Sequence, residues 1–366
     1  MTKKPGFRVE SDWQGEIQIP ANAYWGIRTA RTAFFPNRQH FLPNLVKALI
    51  LVKKSAALIN IESGSLETHI GNAIVQAADE MLSGQWCDQL IINSSSVDPL
   101  QLYNHNITEV LSNRSTEISG APLGSYQISP ERHINLGQSG SNFLSSAVRL
   151  AILLGWKDLS LALLDLERLL RRKSLELRKE DFNNYGAIIE HYHSRLSEAS
   201  QPLLKLISGT ARIHETFYPR FVEKLRQLSL FNFRIDNSKT YLDHMDFLKF
   251  SSGLKELSTE LVRIVRNLHL MNLVADQSYS VGSQNKESYK LLDALTMAAI
   301  QVISSDTAVC LAAQTDTLDS MLSIAADHIV KETELLGCVL IVFNQGYLSG
   351  LIAKNICHTG LVASTV

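Results

Sequence analysis

The stretch L-K-E-L-S-T-E-L-V-R-I-V-R-N-L, residues 254–268, sets Leu254, Leu257, Leu261, Ile264, Val265 and Leu268 at intervals of three and four. That spacing lines one face of an α-helix, and it decides the fold class as mainly α. Ala147, Leu150, Ala151 and Leu154 repeat it, and leucines continue to Leu177. Proline placement agrees. All nine prolines lie at or before Pro219, and a second proline-free gap runs from Glu131 to Gln201. Proline costs about 3 kcal/mol inside a helix, so such gaps permit long helices. Alternation of period two is confined to the first forty residues, where Glu16-Ile17-Gln18-Ile19 ahead of Pro20 predicts a short strand. Loops are expected at residues 93–99, 120–124 and 275–288, which are rich in Ser, Asn, Gly or Pro. The architecture these patterns predict is a bundle of long helices.

Composition narrows the function. With 366 residues, 45% hydrophobic and 19% charged, the chain has the means for a sizeable core. A net charge of -1 argues against nucleic acid as a partner. The start M-T-K-K-P-G-F-R-V-E-S-D lacks the apolar region of a secretory signal, and Val339–Phe343 is apolar but too short to cross a membrane. The four cysteines, Cys87, Cys310, Cys338 and Cys357, are scattered with no C-x-x-C pair, which fits reduced thiols in a cytoplasm. No phosphate-binding glycine loop and no clustered metal ligands occur, so neither a nucleotide cofactor nor a metal is expected.

Chemistry concentrates in N-H-N-I-T-E-V-L-S-N-R, Asn104 to Arg114. Asparagine amides both donate and accept, so Asn104 and Asn106 closing a loop ahead of a helix can grip a carboxylate. The free N–H groups of a helix start favour an anion in the same place. The competing reading makes both asparagines helix caps.

This stretch resembles the S/T-x-S/T-N-M-N-x-N-E-V-x-x-N-R signature of the aspartase/fumarase superfamily. Further resemblances follow in the family's order along the chain. Gly15–Arg31 is similar to G-E-x-x-V-P-A-D-A-Y-x-G-x-x-T-x-R, Lys47–Asn60 to the first long helix, Asp293–Met297 to E-A-L-T-M, and Asn344–Tyr347 to the N-P-x-I-G-Y of the last domain. The resemblance implies an elongated long-helix bundle with small terminal domains. It divides the chain into residues 1–125, a central bundle over 126–310 with the loop 275–288, and a shortened helical segment over 311–366. It also implies a homotetramer whose copies contribute to one another's sites, and a small dicarboxylate or amino-acid-type substrate from which a C–N or C–O bond is eliminated, releasing fumarate or a related product.

Residue roles follow by the same route. Ser139, Ser141 and Asn142 fall in H-I-N-L-G-Q-S-G-S-N, which resembles H-V-N-x-S-Q-S-S/T-N-D, and with Asn104 and Asn106 would contact carboxylates. Ser280 falls on the catalytic serine of the family's mobile loop and Lys286 on its lysine. Near the family's catalytic Thr-His pair the chain has Glu190-His191-Tyr192-His193, off register with it, so that His191 or His193 could serve. The alternative is a surface histidine on a helix, and His193 is carried forward. A serine acts as a base only beside positive charge, which Lys286 would supply. The chain also departs from the pattern. Leu100-Gln101-Leu102-Tyr103 replaces small hydroxyl residues, and Tyr103 is expected to occupy substrate space. The loop lacks the family's methionine and prolines. Two functions are therefore carried forward: a lyase with an altered site, and a non-catalytic descendant that keeps the helical oligomer as a scaffold or regulator.

Overall fold

The computed structural model describes residues 6–32, 42–91, 98–138, 141–207, 212–236, 243–273, 279–281, 286–314 and 318–353. In chain order the elements are β1 (Phe7–Asp12), β2 (Gly15–Pro20), α1 (Ile27–Thr32), α2 (Pro43–Glu62), α3 (Thr68–Leu82), α4 (Pro99–Ile118), α5 (Ser141–Leu177) and α6 (Glu180–Ser200). There follow β3 (Lys205–Ile207), α7 (Arg212–Ser229), β4 (Arg234–Asp236), α8 (Asp243–Leu273), β5 (Tyr279–Val281), α9 (Lys286–Ala312), α10 (Leu318–Ile324), α11 (Lys331–Phe343) and β6 (Leu351–Ala353). The mainly α expectation holds. α5 covers 37 residues, about 55 Å at 1.5 Å per residue, and lies inside the proline gap read from the sequence.

The strands are short and pair locally. β1 and β2 form an antiparallel hairpin with Val9 opposite Gln18, and β2 contains the expected Glu16–Ile19 segment. β3 pairs with β4 in parallel, and β5 with β6 antiparallel. The expected loop at 275–288 thus holds a strand, and α9 begins at Lys286.

Contacts group the chain into two compact units built from interleaved segments: 1–155, 200–249 and 308–331 in the first, 156–199, 250–307 and 332–366 in the second. This grouping cuts across the three consecutive segments expected, because α5, α8 and α9 each run from one unit into the other.

In the first unit α2 is the central element. Leu45, Ala48, Leu49, Ile50, Val52, Ala56 and Ile59 are buried along it, and α3, α4 and α7 pack on it. A helix apolar on nearly all sides belongs inside a core. In the second unit the heptad-like face of α8, Leu254, Leu257, Leu261 and Leu268, is buried as its spacing requires. Gly253 lets α8 close on α6, since a Cβ there would stand 2.9 Å from Leu196. Asp306 of α9, 3% exposed, accepts a hydrogen bond from Ser251 Oγ of α8 at 2.7 Å and an ion pair from Lys255.

By length and composition, Lys290–Ala312 of α9 is apolar enough to cross a membrane, although Asp293 and Asp306 interrupt its apolar run.

Candidate active site

α4 carries the N-H-N-I-T-E-V-L-S-N-R signature, and it starts earlier than that signature suggests. Pro99 occupies the first turn, and the Asp98 carboxylate caps it by accepting from Gln101 N–H at 3.1 Å. Asn104 and Asn106 therefore lie inside the helix, not in a loop ahead of it. Residues i and i+2 point about 200° apart around a helix, so the two amides face different surroundings. Asn104 is half-buried. Asn106 is 0% exposed, and its amide donates to Thr29 Oγ1 at 3.3 Å and Gln89 O at 3.2 Å. The expected grip by both asparagines is corrected accordingly, because Asn106 has no surface on which a substrate can land.

Tyr103 is corrected too. It is 2% exposed in the core beside Leu100 and Leu102, and its hydroxyl accepts from Leu42 N–H at 2.9 Å. The bulky residues that replace the family's hydroxyls fill the core of the unit.

Glu109 shows why the signature holds a glutamate. Its carboxylate accepts from the N–H groups of Gly26 (2.8 Å), Arg28 (2.8 Å) and Thr29 (3.1 Å) and from Thr29 Oγ1 (2.7 Å). These are the free donors at the start of α1, which Glu109 satisfies from another helix. Burial pushes the Glu109 carboxyl up from its ordinary range, against the pull of those four donors. A side chain at Gly26 would collide with Glu109 and with the Tyr126 hydroxyl, so glycine is required there.

The second signature segment begins as a wide turn, Pro130–Ile134, capped by Ser129. α2 holds it from below. Lys53 Nζ donates to Asn135 Oδ1 at 2.9 Å, and Asn60 Nδ2 donates to Leu136 O at 2.8 Å. Asn135 Nδ2 reaches Glu131 Oε2 at 3.4 Å, and Glu131 pairs with Arg28 of α1 at 2.6 Å. Gly137 follows at φ +78°, with the Phe217 ring 2.9 Å from where a Cβ would sit. Burial pushes the Lys53 ammonium down to about 7. His105 is also held below its ordinary value, first by burial and then by the positive charge of Arg28 and Lys53. The turn thus sits in a partly desolvated corner of the first unit, between Lys53 and the Arg28–Glu131 ion pair.

Ser141 and Asn142 are the first residues of α5 and are half-buried, with Asn142 O accepting from Ser146 Oγ at 2.8 Å. The helix begins at Ser141. Ser139 lies outside the described residues. Ser280 lies in β5 opposite Ile352, and Lys286 is the first residue of α9; their side chains lie outside the described set.

His193, in the second unit, is fixed by α5. Its Nε2 meets Ser160 Oγ at 2.7 Å, and its ring stacks on Trp156 at 5.6 Å between centroids. Burial lowers its affinity for a proton. Among the described residues no group of three or more His, Cys, Asp or Glu is placed to hold a metal ion.

Sequence reasoning missed Lys53, His105 and the structural use of Glu109. A signal for Lys53 was present: it shares a helix face with Leu49, Ala56 and Asn60, where an unaccompanied lysine needs a partner.

The helices and strands define a mainly α protein built on long helices. A family model described as lyase matches residues 15–179. An aspartate ammonia-lyase of Bacillus subtilis (strain 168) is 29% identical over 358 residues, covering 86% of this chain and 74% of that protein. A class II fumarate hydratase of Thermosynechococcus vestitus (strain NIES-2133 / IAM M-273 / BP-1) is 28% identical over 346 residues, 83% of this chain and 74% of the relative. The solved structure of a fumarate lyase:delta crystallin from Brucella melitensis shares the fold at a TM-score of 0.85, with 24% identity over 95% of this chain and 90% of that one. The chain is thus similar to lyases of the aspartase and fumarase type in sequence, and to a fumarate lyase:delta crystallin in fold.

Proposed function

We propose that the protein is a lyase that eliminates ammonia, an amine or water from a succinate-type dicarboxylate, releasing fumarate or a related product. One observation carries this reading: the turn leading to Ser141 and Asn142 is anchored by Lys53 and Asn60, with Asn135 tied through Glu131 to Arg28. Hydroxyl and amide side chains held at the start of a helix favour a carboxylate. Ser139, Ser141, Asn142 and Asn104 are assigned to the carboxylates. Ser280 is assigned as the base, with Lys286 stabilising the charge on it. His193, its ring fixed by Ser160 and Trp156, is assigned as the accompanying acid–base group. Donors aimed at the dianion that forms on proton removal supply most of the rate enhancement.

The site is proposed to assemble between copies in a cytoplasmic homotetramer. Met297 and Ile300, one turn apart on α9, are 66% and 48% exposed, and an exposed apolar helix face supports packing against another copy. Cys87 and Cys338 carry free thiols, in keeping with a reducing compartment.

A second reading, a non-catalytic oligomer, is favoured by one feature: Leu100, Leu102 and Tyr103 are core residues where the family pattern has hydroxyls. Incubation with aspartate, malate and N-substituted aspartates, followed by ultraviolet absorbance, separates the two. Production of fumarate or a related unsaturated acid that Ser280→Ala abolishes supports the lyase. No turnover of the whole set, with Ser280→Ala indistinguishable from the parent, supports the scaffold.

A further inference from the structure

Lys53 and Asn60 lie two turns apart on one face of α2, each 3% exposed, and both donate into the same turn. Packing does not call for them. An apolar side chain of Lys53's volume would fill that space without the desolvation penalty of a buried ammonium. What the two residues do instead is fix both sides of one peptide step: the Asn135 side chain and the Leu136 carbonyl. Asn135 is also tied through Glu131 to Arg28 on α1, so three elements converge on it. Gln138 closes the far side, its Nε2 donating to Ile134 O at 2.6 Å. Glu131 in the turn is the charged group that acts on Lys53, and Lys53 acts, with Arg28 of α1, on His105 of α4.

We infer that Lys53 and Asn60 are positioning residues, a clamp on the Asn135–Gln138 turn that sets the first turn of α5, with Ser141 and Asn142, for a substrate carboxylate. This rests on the lyase reading for its ligand, and the clamp itself is testable without it. Lys53 touches no substrate. It acts through Asn135, so removing either end of that bond has one consequence, and removing both adds little.

The test compares the full-length protein with Lys53→Met, Asn135→Ala and the double variant. Methionine keeps the stem and removes the charge, a change that buried sites commonly tolerate. Amide hydrogen exchange is expected to rise about tenfold or more at residues 134–138 in Lys53→Met, with the amides of α2 and α8 unchanged. With the substrate the parent turns over, each single variant is expected to raise KM about tenfold while kcat moves less than about threefold, and the double variant to match the worse single. Unchanged exchange at 134–138, or single-variant effects on KM that multiply in the double, overturns the clamp. Parent protein that neither turns over nor binds any dicarboxylate overturns the lyase reading instead, while a rise in exchange still establishes the clamp on the turn.

Discussion

Glu109 Oε2 on α4 accepts both the backbone N–H of Thr29, at 3.1 Å, and its hydroxyl, at 2.7 Å. One carboxylate thereby serves as the cap of a helix some eighty positions earlier in the chain. α1 is too short to hold itself together, since a helix of six residues leaves most of its donors unpaired. Glu109→Ala removes the acceptor of four hydrogen bonds inside a region without water access. It is expected to cost about 3 kcal/mol or more of unfolding free energy, read by denaturant titration. Loss of less than about 1 kcal/mol would show that α1 stands without Glu109.

Lys53 gives the protein a characteristic pH response. Its ordinary value is 10.5, and burial brings it down to about 7 in the folded state. Between those values the unfolded chain binds one more proton than the folded one at this position, so Lys53 makes stability rise with pH across that window. The slope is roughly 1.4 kcal/mol per pH unit for one proton. Comparison of the parent with Lys53→Met between about pH 7 and pH 9.5 should show the parent gaining on the variant by that slope as pH rises. Parallel curves would mean that Lys53 stays ordinarily charged in the fold.

The fold was legible where side-chain period alone decides it. The α8 face from Leu254 to Leu268 and the β2 strand both lie where their spacing puts them. Helix starts were harder to read. α4 begins at Pro99 because Asp98 caps it, and an Asp-Pro pair in a serine-rich stretch reads equally well as loop. That displacement of a few residues turned Asn106 from a surface amide into a core one. The clamp was illegible for a different reason. Lys53 and Asn135 are far apart in sequence, and neither marks the other until α2 and the turn are packed together.

Gly137 turns the chain at φ +78° beneath the Phe217 ring. Gly137→Ala must hold an alanine in the left-handed region and displace an aromatic ring. The expected loss is about 1–3 kcal/mol, since the backbone strain alone is roughly 1–2 kcal/mol. The same change is expected to raise KM in the active protein, because the turn it distorts leads into Ser141. Thermal unfolding measures the first effect and steady-state kinetics the second; a variant as stable as the parent contradicts the turn geometry.

Asn104 and Asn106 look equivalent in sequence, and α4 makes them opposites. Asn106 donates inward to Thr29 and Gln89, and its Oδ1 is buried without a partner among the described residues. Removing its amide leaves the Gln89 carbonyl short of a donor, so Asn106→Ala is expected to lose about 1–3 kcal/mol of stability. Asn104 is half-buried, on a different side of the helix. If its amide meets a substrate carboxylate, Asn104→Ala leaves stability within about 0.5 kcal/mol of the parent and raises KM about tenfold. The two measurements together decide the assignment. Should Asn104→Ala unfold the protein as readily as Asn106→Ala, both asparagines are structural, and carboxylate recognition falls to the Ser139–Asn142 segment alone.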